Sequence, residues 1–219
     1  MEVINPINYN DIDFDEIIEI ELFFEKNKYY QESMIETLLD YFVFFIRYHI
    51  LADGEDIYSN TFCGYCDLAA DLGRELTYRY GFKYFSFNIG DILSVNKVHK
   101  AFLVSVPLAN GFKIFLIDST FKQFCKSSDA GLFLETSNPE IYERLLRSGY
   151  FEIGFSLLKI YLDAFKVVYG NNNVEISEEK YWRLIGENSD NTYRPSGIII
   201  ESPLELLKRI KQEQLKMVL

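Results

Sequence analysis

The sequence predicts an α+β fold: a central helix packed on a small antiparallel sheet, with further helices before and after. Two observations lead to this class. Apolar residues recur at helical spacing in both outer parts of the chain, and the middle holds two β-rich runs joined by Asn110-Gly111, which is typical of a hairpin. With 219 residues and 48% hydrophobic content, the chain can bury one sizeable core, so we predict a single domain over residues 1–219.

The N-terminal part, residues 1–58, is predicted to be helical after an irregular polar arm over 1–13. Residues 14–26 mix apolar and acidic residues at helical spacing. A second helix is predicted from a capping box formed by Ser33 and Glu36, and it ends at 52–54. Its apolar stripe consists of Ile35, Leu38, Leu39, Phe42, Ile46 and Ile50.

The middle part, residues 59–126, is predicted to be the catalytic core. A third helix begins at Cys66 and ends at Gly81, followed by a strand over 83–89. The hairpin comes next, with strands over 98–107 and 112–120. Pro107 fits a strand edge or the start of the hairpin loop, because proline cannot donate to a ladder.

The C-terminal part, residues 127–219, is predicted to be mostly helical. Asn138-Pro139 marks the start of one helix, and residues 153–169 form another. The last helix begins at Ser202-Pro203, where a capping box is completed by Glu205. No internal repeat or linker divides the chain.

Cys66 is the candidate nucleophile. It lies in the first turn of the predicted third helix, where unpaired backbone N–H groups and the positive end of the helix dipole favour an anion. A cysteine in this position is biased towards the thiolate, which is the reactive form. Asp67 follows directly, and its negative charge is expected to oppose the thiolate somewhat.

The hairpin supplies a candidate base and a carboxylate to orient it. His99 opens the first strand and Asp118 closes the second, so both lie at the same end of the hairpin. A carboxylate that accepts from one imidazole nitrogen leaves the other nitrogen to face a thiol. If the helix of Cys66 packs on this sheet, the three side chains form a Cys–His–Asp triad.

These residues resemble the transglutaminase-like branch of the papain-like cysteine enzymes. The resemblance depends on Gly64-Tyr-Cys66 followed by Ala70, on His99 opening a strand and on Asp118-Ser-Thr120 closing the next. The order Cys, His, Asp and the short separations are similar to small bacterial members, among them effector-type proteases and deamidases. Cys63-Gly-Tyr-Cys66 also resembles the papain pattern, in which Asn60 occupies the place of a glutamine that donates to the oxyanion hole.

The resemblance implies cysteine-dependent acyl transfer or hydrolysis on a protein or peptide amide. Cys66 would form a thioester, His99 would act as base and acid, and Asp118 would orient His99. The backbone N–H of Cys66 and the side chain of Asn60 would bind the oxyanion. Protease, glutamine deamidase and transglutaminase remain alternatives, because they differ only in which carbonyl binds and what resolves the thioester.

Two other classes of function remain open. Cys63-Gly-Tyr-Cys66 entering a helix also resembles glutaredoxin and thioredoxin, in which Cys63 would attack a disulfide and Cys66 would resolve it. Those folds place a buried parallel strand before the motif, whereas residues 52–56 indicate a turn. A catalytically inactive protein-interaction module is the third class.

Composition narrows the partners and the compartment. A net charge of −11 argues against nucleic acid and anionic membrane surfaces and favours a basic protein or peptide substrate. Three cysteines do not make a disulfide framework, and the start lacks a secretory signal, so we expect a cytoplasmic protein or one exported without a cleaved signal. The histidines and cysteines have no zinc-ligand spacing, so no metal or organic cofactor is expected. No motif specifies the oligomeric state.

Overall fold

The computed structural model describes residues 12–53, 64–93, 99–124, 129–169, 177–179 and 200–218. This part of the chain has an α+β fold, as predicted, with four antiparallel strands in the order β1-β2-β3-β4. Most of the predicted polar arm, residues 1–11, lies outside the described residues. Among the helices described, none is both long and apolar enough to cross a membrane.

Two N-terminal helices precede the sheet, and both were predicted. Helix α1 spans Phe14–Asn27, and Oδ1 of Asp13 caps it by accepting from the backbone N–H groups of the first turn. Helix α2 spans Glu32–Asp53 and buries the whole predicted apolar stripe. The capping box predicted at Ser33 is wrong, because α2 begins at Glu32 and Ser33 therefore lies inside its first turn.

The four strands are β1 (Lys83–Asn88), β2 (Lys100–Leu108), β3 (Gly111–Ile117) and β4 (Tyr150–Glu152). The predicted hairpin is confirmed: β2 pairs with β3, and Leu108 lies opposite Gly111 across the turn. Pro107 lies within β2, beyond the last pair that β2 makes with β1 at Ser105, so no ladder bond to β1 is lost there. Strand β4 was missed, because three residues are too few to show an alternating pattern.

Several helical elements follow the first two helices in the described ranges. They are α3 (Cys66–Arg79), α4 (Ile89–Ile92), a 3₁₀ turn (Phe121–Phe124), α5 (Asp129–Ser137), α6 (Pro139–Arg147), α7 (Phe155–Tyr169) and α8 (Pro203–Val218). The predicted start of α6 and the predicted capping box of α8 are confirmed. The side chain of Asn138 accepts from the N–H of Ile141, and Ser202 and Glu205 exchange the two hydrogen bonds of a capping box.

Helices cover both faces of the sheet, and the alternation of side chains along β2 divides the core between them. Phe102 and Val104 point into a cluster with residues of α1, α2, α3 and α8. Ala101 and Leu103 point into a second cluster, which is built with α4, α5, α6 and α7. The sheet is therefore the middle of three layers, with the helix of Cys66 in one outer layer and α7 in the other.

A candidate Cys–His–Asp active site

The backbone places Cys66 at the start of α3, as the sequence predicts. Gly64 enters the helix with φ +84°, a left-handed conformation that glycine adopts without strain. Tyr65 occupies the N-cap position and makes no side-chain cap, so it does not compete for the N–H groups of the first turn. Cys66 is buried, with 7% of the residue exposed, and is a free thiol.

His99 and Asp118 are neighbours at the end of the hairpin, as its geometry predicts. His99 immediately precedes β2 and Asp118 immediately follows β3. The Nε2 atom of His99 lies 2.8 Å from Oδ2 of Asp118, and both residues are almost fully buried. Since a carboxylate only accepts, Nε2 carries the proton of this hydrogen bond.

The thiol of Cys66 is hydrogen-bonded to His99, which completes the chain from thiol to imidazole to carboxylate. Because Nε2 is engaged by Asp118, Nδ1 is the ring nitrogen left to face the sulfur. The hydrogen bond from His99 lowers the pKa of Cys66, and the backbone N–H of Lys100 lowers it further, although burial acts in the opposite direction. These two donors favour the thiolate over the thiol.

The pKa of His99 is set by its charged and hydrogen-bonded neighbours as well as by burial. Burial by itself lowers the pKa of His99, but the charge and hydrogen bond of Asp118, with those of Cys66, outweigh burial and raise it to about 9. At neutral pH the imidazole is therefore protonated beside a sulfur that favours the thiolate. Both shifts act towards a thiolate beside a protonated imidazole, which is the reactive state of a nucleophilic cysteine.

Two further side chains hold Asp118. The hydroxyl of Tyr161, on α7, donates to Oδ2 at 2.7 Å, and the hydroxyl of Thr120 donates to Oδ1 at 3.2 Å. The backbone N–H of Asp118 donates to the carbonyl of Gly149, just before β4. Thr120 belongs to the predicted motif. Tyr161 was missed. It lies in an apolar helical pattern, and nothing in that pattern indicates that its hydroxyl contacts a carboxylate from a distant part of the sequence.

The 3₁₀ turn places Gln123 beside the imidazole, and the sequence did not indicate this residue either. Its Nε2 lies 3.4 Å from Nδ1 of His99 and 3.2 Å from Oγ1 of Thr120. An amide N–H can donate to Nδ1 only when that nitrogen carries no proton, so this contact suits the neutral imidazole. The rings of Phe124 and Phe165 enclose His99, with centroid distances of 4.7 and 5.1 Å.

Arg47 ties the loop after β3 to α2. Its Nε donates to the carbonyl of Ser119 at 3.0 Å and its Nη1 donates to the carbonyl of Arg147 at 3.2 Å. Arg47 is 5% exposed, although the amphipathic pattern of α2 indicated only a charged position on the helix. The segment that carries Asp118 is therefore held by a side chain from α2, in the helical layer that also contains α3.

Asp67 and Lys100 form an ion pair beside the nucleophile. The pair joins the first turn of α3 to the first residue of β2, so it links the elements that carry Cys66 and His99. Asp67 raises the pKa of Cys66, as its charge predicts, but among the influences on that pKa it is the smallest. Pairing with a lysine explains why an acidic neighbour is compatible with a stabilised thiolate.

Two residues that the sequence singled out lie outside the part of the chain that the structure describes. They are Asn60, the candidate oxyanion donor, and Cys63, the candidate redox thiol. The second histidine, His49, lies on α2, and its ring contacts that of Phe45 with a centroid distance of 4.2 Å. Within the described ranges, no cluster of three or more histidine, cysteine, aspartate or glutamate side chains could hold a metal ion.

No protein-family model matches the chain, and it matches neither a curated protein nor a solved structure. A functional assignment therefore depends on the residues of the site: Cys66, His99 and Asp118 in contact, with Lys100, Thr120, Tyr161 and Gln123 around them.

Proposed function

We propose that the chain belongs to the class of cysteine enzymes that transfer acyl groups through a Cys–His–Asp triad, with a papain-like, transglutaminase-like core. The hydrogen-bonded chain from Cys66 through His99 to Asp118 is the observation that carries this proposal. The order of the three residues along the chain and the packing of α3 on an antiparallel sheet support it. So does the burial of His99 and Asp118, which strengthens their electrostatic interaction.

The reaction begins with attack of the Cys66 thiolate on an amide carbonyl. As the C–S bond forms, negative charge develops on the carbonyl oxygen, and the proposed donors that stabilise it are the backbone N–H of Cys66 at the start of α3 and the side chain of Asn60. His99 then gives its Nδ1 proton to the amide nitrogen, the C–N bond breaks and the amine departs. The products of this step are a thioester on Cys66 and a neutral His99.

A second step resolves the thioester. The neutral imidazole accepts a proton at Nδ1 from a water molecule or from an amine, which attacks the thioester carbonyl and releases the Cys66 thiolate. Water gives a protease if the carbonyl belongs to a peptide bond, and a deamidase if it belongs to a glutamine side chain. An amine gives a transglutaminase.

The proposed enzyme therefore acts on a protein or peptide amide as a protease, a glutamine deamidase or a transglutaminase. A basic substrate fits the net charge of −11. By analogy with small members of the class, the protein acts in the cytoplasm or as a bacterial effector exported without a cleaved signal. No cofactor enters this chemistry, since thiol, imidazole and carboxylate supply every proton and electron pair it needs.

Thiol–disulfide exchange through Cys63 and Cys66 is the alternative activity, and the geometry favours acyl transfer over it. A resolving cysteine needs only its partner thiol, whereas Cys66 contacts a buried histidine that is oriented by a buried carboxylate. A catalytically inactive interaction module would not need the buried contact between Cys66, His99 and Asp118, so this third class of function leaves the site unexplained.

The proposal predicts fast alkylation of Cys66 at mildly acidic pH that depends on His99. Iodoacetamide labelling of each cysteine is followed by peptide mass spectrometry from about pH 5 to 9. The wild-type rate at Cys66 is expected to change little between about pH 8 and pH 6, whereas His99→Ala lowers the rate at pH 6 about tenfold or more, since an ordinary thiol is mostly protonated there. His49→Gln, which alters the other histidine, is the matched control and leaves the rate unchanged.

The same experiment separates the three classes of function. Fast labelling of Cys63 that does not respond to His99→Ala contradicts the triad and supports thiol–disulfide exchange. Slow labelling at every cysteine contradicts an activated nucleophile. If Cys66 behaves as expected, dimethylated casein with a biotinylated primary amine then distinguishes the reactions: amine incorporation, a gain of about 1 Da at glutamine, or new peptide termini, each absent in Cys66→Ala.

A further inference from the structure

Tyr161 occupies an unusual position, because a phenol lies fully buried against the carboxylate that orients His99. Helix α7 carries it on the face of the sheet opposite to α3, and its side chain is 0% exposed. Its hydroxyl lies 2.7 Å from Oδ2 of Asp118. This is a short, charge-assisted hydrogen bond, similar in length to the one from the imidazole at 2.8 Å.

Both strong donors reach the same oxygen. Oδ2 accepts from Tyr161 and from Nε2 of His99, whereas Oδ1 accepts from the neutral hydroxyl of Thr120 at 3.2 Å. Hydrogen bonds that share an acceptor atom compete for its electron density, so each is weaker than it would be alone. A second donor on Oδ2 therefore reduces how firmly Asp118 holds the Nε2 proton.

We propose that Tyr161 is a positioning residue of the site, which fixes Asp118 and moderates the strength of the hydrogen bond between Asp118 and His99. This inference rests on the proposed function and goes beyond the triad. In acyl transfer the imidazolium must give its Nδ1 proton to the departing amine. An imidazolium held too strongly by its carboxylate is a weaker acid, so the phenol keeps His99 able to release this proton.

The titratable groups around Cys66, His99 and Asp118 have pKa values that shift in directions explained by their surroundings. The negative charges of Asp118 and Cys66 raise the pKa of His99. Burial, together with the charges of Cys66 and Asp118, raises the pKa of Tyr169, which lies one turn after Phe165 on α7. Burial and Asp118 likewise raise the pKa of Tyr161, so both phenols are neutral near pH 7, and Tyr161 acts as a hydrogen-bond donor and not as a charge.

The variant Tyr161→Phe tests this role, because it removes one hydroxyl and keeps the ring in the core. The chain has two histidines, so the ring nitrogens of a protein labelled with ¹⁵N-histidine give two sets of NMR signals whose titrations report each pKa. They are assigned with His49→Gln. We expect the pKa of His99 to rise by about half a unit to one unit in Tyr161→Phe, as for loss of one charge-assisted competitor.

Tyr150→Phe is the matched control. Tyr150 is also buried and also donates to a carboxylate, Oδ1 of Asp40 at 3.0 Å, but it belongs to the core cluster on the other face of the sheet. The Tyr150→Phe variant loses a similar hydrogen bond, and in this variant the pKa of His99 is expected to stay at its wild-type value. A general loosening of the core would affect both variants, whereas the proposed role affects Tyr161→Phe alone.

The outcomes separate this inference from the proposed function. If His99 in the wild type titrates below neutral pH and Cys66 is unreactive at about pH 6, the triad fails and the role of Tyr161 fails with it. If the wild type behaves as a thiolate–imidazolium pair but the pKa of His99 in Tyr161→Phe is unchanged, the phenol has no influence on the site. A decrease in the pKa of His99 in Tyr161→Phe also overturns the proposal. It would mean that Asp118 has turned away from His99 and that Tyr161 serves only to support the position of Asp118.

Discussion

At the scale of single residues, the site depends on how a few charges are placed around one sulfur. Cys66 accepts from His99 and from the backbone N–H of Lys100, and both donors lower its pKa. The side chain of Lys100 also pairs with Asp67, whose charge acts against the thiolate. One residue at the start of β2 therefore favours the thiolate twice: by a direct hydrogen bond and by compensating an acidic neighbour.

Opposite effects are expected from the two halves of this ion pair. Lys100→Met keeps the backbone donor but leaves the charge of Asp67 uncompensated, so the pKa of Cys66 should rise and alkylation at pH 6 should slow about two- to fivefold. Asp67→Asn removes the opposing charge and should leave the rate equal or faster. The effects are small because both side chains are partly exposed.

Iodoacetamide kinetics on Cys66 at about pH 6 measure both variants, and the double variant Asp67→Asn with Lys100→Met serves as control. It should return close to the wild-type rate, since neither charge remains. A slowing in Asp67→Asn as large as that in Lys100→Met would show that the pair acts through the position of α3 and not through charge.

At the scale of elements, catalytic geometry depends on the contact between α3 and the sheet. Ala69, Leu72 and Leu76 pack in the cluster that contains Phe102 of β2. Gly73 lets the two elements approach closely: a Cβ built on it would lie 2.3 Å from the Phe102 ring. Because Phe102 is fully buried, its ring has little room to move.

Gly73→Ala is therefore expected to destabilise the protein despite the better helix propensity of alanine. The propensity gain is about 1 kcal/mol, whereas forcing a methyl group against a packed ring costs typically about 1–3 kcal/mol, so we expect a net loss of about 1 kcal/mol in the free energy of unfolding. Urea denaturation measures it. The same displacement of α3 should slow alkylation of Cys66 at about pH 6.

Gly154→Ala is the matched control for this substitution. A Cβ built on Gly154 would meet no atom within 4 Å beyond its chain neighbours, and the residue has no left-handed φ, so alanine should be neutral or slightly stabilising. Equal stability of the two variants would mean that the sheet accommodates the extra methyl group and that close approach at Gly73 is not required.

At the scale of the whole molecule, the C-terminal helix α8 closes over the N-terminal helices. Leu206 and Ile210 are buried in the same cluster as α1 and α2. The hydroxyl of Tyr48 donates to Glu213 at 2.6 Å, and the guanidinium of Arg209 lies 4.8 Å from the centroid of the Tyr48 ring. Arg209 also donates to Nε2 of His49 at 3.3 Å, so this contact requires a neutral imidazole.

His49 should make the protein less stable in mild acid. Burial and the charge of Arg209 lower its pKa to about 4, whereas an unfolded histidine titrates near 6.5. Between these values the unfolded state binds a proton that the folded state does not, so the free energy of unfolding falls as the pH decreases from about 6.5 to about 4. Below that range both states are protonated and this contribution stops changing.

His49→Gln is expected to reduce this pH dependence, since glutamine can still accept from Arg209 but does not titrate. Urea denaturation of the wild type and the variant at several pH values between about 7 and 4.5 gives two curves, and the wild-type free energy of unfolding should fall more steeply as the pH decreases. Parallel curves would show that His49 is protonated in the folded protein as readily as in the unfolded one.

Much of this molecule follows from local patterns in the sequence. Helical periodicity predicts α1, α2, α3 and α7, and capping residues such as Asn138 and Ser202 mark starts that the structure confirms. The hairpin predicted around Asn110-Gly111 turns at Ala109-Asn110 in the structure and sets the register of β2 and β3, so it also brings His99 to Asp118. Elements of three or four residues were missed, because they are shorter than the period that would indicate them.

Reading the residues in order was enough to identify the three triad candidates, their order and the elements that carry them, because periodicity, turn chemistry and residue type are local properties. The partners that come from distant parts of the chain emerged only in the folded molecule: Tyr161 on Asp118, Arg47 on Ser119 and Lys100 on Asp67. The physical reason is that side chains from different layers meet only when burying both faces of the sheet brings their helices together. Such a contact depends on packing across the core, which no single stretch of sequence specifies.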